Sequence, residues 1–126
     1  MKVKNEVFIN GRWDTLVEFG KKELPFKIGY DVSRIIRKMN DGFETFTEAK
    51  NKIIKKLGKE DKKTKQIKVD LKDDKIRTAF NKELKVLTDI EEEYDIRKLV
   101  IDSKEMKDQQ IKPNTLVLLE EFIEVK

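Results

Sequence analysis

Apolar and polar positions alternate at the start of the chain. In "VKNEVFI", Val3, Asn5, Val7 and Ile9 fall on one side and Lys4, Glu6 and Phe8 on the other. That period of two predicts a strand over residues 3–9. Asn10-Gly11 interrupts it, and Trp13, Leu16, Val17 and Gly20 follow at helical spacing, which predicts a short helix ending near Gly20. Pro25 suits the first turn of the next helix, where its missing N–H costs no hydrogen bond. From there Ile28, Val32, Ile35, Met39, Phe43, Phe46, Ile53 and Leu57 recur every three or four positions. At 100° per residue they all lie within roughly 40° of one line on a helical surface.

The triplet Asn40-Asp41-Gly42 sits inside this stretch, and such triplets commonly mark turns. A turn there would have no reason to keep the second segment in phase with the first, yet Met39, Phe43 and Phe46 stay in register across it. The pattern therefore predicts one helix over residues 26–57, with a bend at Gly42 as the alternative. On this reading Gly42 is merely tolerated, and Gly42→Ala is expected to stabilise the protein by up to about 1 kcal/mol.

Gly58 closes the helix, and "KEDKKTK" follows as a charged loop. "QIKVDL" predicts a second strand. Asp73 or Asp74 is placed to cap a helix that carries Ile76, Ala79, Phe80, Leu84 and Leu87 on one side and ends near Asp89. "YDIRKLVI" predicts a third strand. After a polar link Pro113 opens a last segment, "TLVLLEEFI", whose leucines favour a helix. The expected architecture is α+β: a single domain over residues 1–126, with a small antiparallel sheet packed with helices and dominated by the long amphipathic one.

Composition narrows the chemistry. Of 126 residues 43% are charged and 37% hydrophobic, enough apolar side chains for one modest core. The net charge is only +4, too small to argue for nucleic acid by itself. Its distribution is uneven, however. Residues 50–65 carry eight lysines against Glu60 and Asp61, whereas residues 89–108 carry eight acids against four basic residues, which predicts an electrically polar molecule. Cysteine and histidine are both absent, so disulfides, thiolate nucleophiles, the usual zinc ligands and His-dependent triads are unavailable. No stretch approaches the ~20 apolar residues of a membrane span, and the N-terminal apolar run is too short for a secretory signal. These features lead us to expect a cytoplasmic protein without a membrane segment.

Lys27, Arg34, Lys38, Lys52 and Lys56 fall within about a 40° sector of the long helix, roughly 120° from its apolar seam. Such a stripe can meet phosphates or an acidic protein surface. The plainer reading is that these are solvating side chains whose stems flank the seam. Asp31 and Thr45 interrupt the stripe, and no aromatic residues are interleaved with it for base stacking. Two acid clusters, Asp70, Asp73 and Asp74, then Glu91, Glu92, Glu93 and Asp95, have no calcium-loop spacing and read as caps and solvated turns. Trp13 reads as a core residue, and no Gly-rich phosphate loop occurs.

The ordered segments "ELPFKIGYDVSRIIRKMN", "ETFTEAKNKIIKKLGKED", "FNKEL" and "YDIRKLVID" resemble a family of small proteins of unknown function encoded by phages and prophages of Gram-positive bacteria. The resemblance runs from about Leu16 to Ile123 and is most specific at Leu24-Pro25 and Phe80-Asn81. It implies a long helix continuous through its middle, from which Gly42 is a departure, and a phage protein acting inside the host cell. It supplies no catalytic motif. The expected function is therefore a non-enzymatic binding protein without cofactor or metal, acting through a protein–protein interface. It would modulate or inhibit a host system, including defence, or assist virion assembly. The partner is expected to be a protein of host or phage origin, met by Lys27, Arg34, Lys38, Lys52 and Lys56. The alternative is a non-specific nucleic-acid-binding protein.

Overall fold

The alternation of residues 3–9 survives only in part in the computed structural model, which describes residues 1–106 and 111–126. Lys2–Lys4 form β1, and Asn5–Phe8 then wind into a 3₁₀ turn. Val3, Asn5 and Val7 are buried as the alternation requires, but the turn also brings Phe8 inward, to 8% exposure, and swings Ile9 out to 42%. The buried Asn5 is satisfied: its backbone N–H donates to the Ile90 carbonyl at 2.9 Å and its Nδ2 to the Leu87 carbonyl at 3.2 Å. A strand over residues 3–9 is thus corrected to a three-residue strand and a turn.

Gly11, with φ of +86°, makes the left-handed turn into α1 (Arg12–Gly20), whose Trp13, Leu16 and Phe19 are buried. The long helix α2 runs from Phe26 to Leu57 without interruption, 32 residues and about 48 Å at 1.5 Å per residue. Its fully buried side chains, Ile28, Val32, Ile35, Met39 and Phe46, all belong to the predicted seam. All of them precede residue 47. Beyond that point the seam residues Ile53 and Leu57 are only half-buried, so the core lies against the first two thirds of α2. There the rings of Phe8, Trp13, Phe43 and Phe46 form one cluster, with centroids 5.3 to 5.5 Å apart across the pairs Phe8–Trp13, Phe8–Phe43, Phe8–Phe46 and Trp13–Phe43.

The far end of α2 is met by β2 (Lys59–Glu60), β3 (Ile67–Lys68) and α3 (Asp74–Thr88). Asp73 caps α3, its Oδ1 accepting from the N–H groups of Lys75 and Ile76 at 3.0 and 3.2 Å. Next come β4 (Glu91–Glu93), β5 (Leu99–Ile101), a 3₁₀ turn over Ser103–Met106, α4 (Pro113–Leu119) and β6 (Ile123–Val125). The fold is α+β. Its sheet content is three two-stranded ladders: β1–β4 and β2–β3 are antiparallel, and β5–β6 is parallel.

Five sequence expectations shift. Lys59–Glu60, read as loop, and Glu91–Glu93, read as caps and solvated turns, pair as strands. The second strand shrinks to Ile67–Lys68, and the third to Leu99–Ile101. The last helix stops at Leu119, because Phe122 and Ile123 are buried and the Phe122 carbonyl accepts from the Leu99 N–H at 2.8 Å. Of the polar link before Pro113, residues 107–110 lie outside the described residues.

Asn40-Asp41-Gly42 is helical, but Gly42 is not a tolerated accident. The ring of Tyr94 lies over it: a methyl group built on Gly42 would overlap the Tyr94 hydroxyl and stand 2.9 Å from its Cζ and 3.1 Å from its Cε1. The expected gain from Gly42→Ala is therefore corrected to a loss. Tyr94 is itself buried, and its hydroxyl has no hydrogen-bond partner among the described residues. Burial first, then the nearby Glu92 charge, raise the phenol above its ordinary value of 10.0. The folded protein therefore holds this phenol neutral where the unfolded chain ionises it. The resulting stability is present below about pH 10 and is lost as pH rises through the raised folded value. Urea midpoints at about pH 9 and about pH 11 are expected to fall more in the wild type than in Tyr94→Phe. Equal losses would mean that Tyr94 ionises freely in the native state.

Candidate functional site

Where the first half of α2 passes the segment leading into β5, a groove of about 500 Å³ opens. Asp31, Arg34, Ile35 and Lys38 line it from α2, and Asp95, Ile96, Arg97, Lys98, Leu99 and Val100 from the other wall. The helical residues recur at spacings of three and four, so one face of α2 supplies them. Ile35 and Ile96 are buried beneath and Leu99 is half-buried, which gives the groove an apolar floor under a charged rim.

Four cations and two anions surround this floor, so the groove is net positive. Lys38 is committed internally: its Nζ donates to the Asp95 backbone carbonyl at 3.0 Å and to its Oδ2 at 3.1 Å. That hydrogen bond and charge, with smaller contributions from Arg34 and Arg97, hold the Asp95 carboxyl below its ordinary range. Asp95 thus marks the place where a carboxylate is favoured by cations from both walls. Among the described residues, Arg34, Arg97 and Lys98 form no ion pair and no side-chain hydrogen bond.

Of the five residues of the predicted stripe, Arg34 and Lys38 belong to the groove. Lys27 is exposed one helical turn before Asp31, and Lys52 is exposed on the distal part of α2. Lys56 pairs across to Glu83 of α3, tying the two helices. The stripe lies along one helix face, but Lys27 and Lys56 are about 44 Å apart along the axis, and the five do not converge on one concavity. Arg97 and Lys98 were missed by the sequence reading. Their signal was an adjacent basic pair inside the acidic stretch of residues 89–108.

The expectation that no aromatic accompanies the stripe also needs correction. Phe26 and Tyr30 are 88% and 57% exposed and stack with centroids 6.3 Å apart, on the turns that carry Lys27 and Arg34. The acid clusters are spent on structure. Asp73 caps α3, Asp74 pairs with Arg77 at 2.7 Å, and Glu91–Glu93 face Lys4, Val3 and Lys2 across the β1–β4 ladder. Among the described residues no group of three or more acidic side chains is placed to hold a metal ion, and no helix is long and apolar enough to cross a membrane. No protein-family model, no curated protein and no solved structure matches the chain.

Proposed function

We propose that this protein is a non-enzymatic binding protein that engages an acidic surface of a protein partner through the groove between α2 and residues 95–100. The observation that carries the proposal is the set of three cations, Arg34, Arg97 and Lys98, which form no ion pair among the described residues, around an apolar floor. An interface built this way draws lifetime from its apolar centre and rate and selectivity from its charged rim. The resemblance to phage and prophage proteins supplies the setting: an infected cell in which the partner is a host protein, including a defence component, or a phage assembly protein.

A second reading, non-specific binding of single-stranded nucleic acid, draws on the exposed Phe26–Tyr30 stack beside Lys27 and Arg34. The two are separated by capture from a nuclease-treated lysate of infected cells at about 0.15 M salt. A protein is expected on the wild-type bait and not on Arg34→Glu/Arg97→Glu/Lys98→Glu. Equal capture by the charge-reversed bait would count against the groove. Oligonucleotide binding at the same salt that is lost in Phe26→Ala/Tyr30→Ala would promote the second reading.

A further inference from the structure

We infer that the groove takes an extended acidic segment of the partner as an added strand on the free edge of β5, a mode that rests on the proposed function and specifies it. In a parallel ladder alternate residues turn both backbone groups toward the neighbouring strand. The Leu99 N–H donates to the Phe122 carbonyl at 2.8 Å, and the Ile101 carbonyl accepts from the Lys126 N–H at 2.8 Å, so Leu99 and Ile101 face β6. Val100 is out of phase with them and turns its N–H and C=O to the opposite edge. Among the described residues no strand pairs with that edge.

Two further observations place this edge in the groove. Leu99 and Val100 of β5 both line it, continuing the wall formed by residues 95–98 just before the strand. Val100 is also 51% exposed, which leaves it accessible to a partner. Unpaired edges are templates for strand addition, in which backbone bonds supply affinity and side chains supply selectivity. Here the selectivity is electrostatic, because among the described residues Arg34, Arg97 and Lys98 form no ion pair and together outweigh the Asp95 charge that Lys38 already holds. A second copy of this chain is the poorer occupant, since pairing two such edges would bring two net-positive grooves together.

The test uses a fluorescein-labelled peptide of alternating valine and glutamate, blocked at both ends and about six residues long, the length of an ordinary strand. Val100→Pro removes an N–H that has no internal partner at a position where proline is tolerated, and Val100→Thr keeps that N–H. Anisotropy titrations are expected to show binding by wild type and Val100→Thr, and weakening of at least about tenfold in Val100→Pro and in Arg97→Glu/Lys98→Glu. The Val100 amide is expected to become protected from hydrogen exchange in the complex. Methylating alternate peptide amides is expected to abolish binding to the wild type, which keeps the test decisive if Val100→Pro does not fold. Binding lost on charge reversal but unchanged in Val100→Pro and by methylation would overturn strand addition while leaving the acidic-partner reading intact. Absence of peptide binding up to about 1 mM would overturn strand addition, and the capture experiment then judges the broader reading alone. A concentration-dependent dimer abolished by Val100→Pro would assign the edge to a second copy and overturn the proposal.

Discussion

Phe8→Ala is expected to cost about 3–5 kcal/mol of folding stability, whereas Ile9→Ala next to it should stay within about 0.5 kcal/mol. Phe8 fills the centre of the aromatic cluster, in ring contact with Trp13 of α1 and with Phe43 and Phe46 of α2, so its removal leaves a cavity bounded by side chains of both helices. Ile9 is 42% exposed and makes no part of the buried core. Had residues 3–9 continued as a strand, the ranking would be the reverse, with Ile9 beside Val7 in the core and Phe8 outside. Urea denaturation followed by fluorescence of Trp13, the single tryptophan, measures both variants against the wild type. A larger loss in Ile9→Ala than in Phe8→Ala would restore the strand.

Gly42→Ala is expected to destabilise by about 1–3 kcal/mol, the usual cost of forcing extra atoms into a packed site. Helix propensity alone favours alanine by about 1 kcal/mol, so the sign of the result separates the two effects. Tyr94→Phe removes the atom nearest to the new methyl group and also a buried hydroxyl that has no partner. Alone it should be neutral or slightly stabilising. Combined with Gly42→Ala it should recover part of the loss, a non-additivity expected of groups in contact. A stabilising Gly42→Ala, or strict additivity with Tyr94→Phe, would mean that the ring does not rest on the helix.

The groove is built on the same elements. Tyr94 packs on Gly42, and the next residue, Asp95, is clamped by Lys38 one turn earlier on α2. The segment that carries Arg97 and Lys98 is therefore positioned by two contacts with α2 before it enters β5. Its cations then stand opposite Arg34 without an ion pair of their own among the described residues. In the proposed binding mode this positioning would limit the ordering cost of taking up a partner.

The amino-acid sequence by itself determined the extent of α2, from Phe26 to Leu57, and its continuity through Asn40-Asp41-Gly42. Both follow from hydrogen bonds four residues apart and from an apolar seam whose phase is a local property. A cap of α3 at Asp73 or Asp74, of which Asp73 serves, and the helical turns around Trp13 and Leu16 were legible for the same reason. The strands were less so. Lys59–Glu60 and Glu91–Glu93 carry no apolar alternation and are strands only because partners elsewhere in the chain complete their backbone bonds, with Glu91–Glu93 meeting Lys2–Lys4 from the other end of the sequence. The inward turn of Phe8, the use of Gly42 as a seat for Tyr94, and the meeting of Arg34 with Arg97 and Lys98 were likewise decided by tertiary structure alone. Each joins residues distant in the chain, and periodicity reports which side of an element is buried, not what buries it.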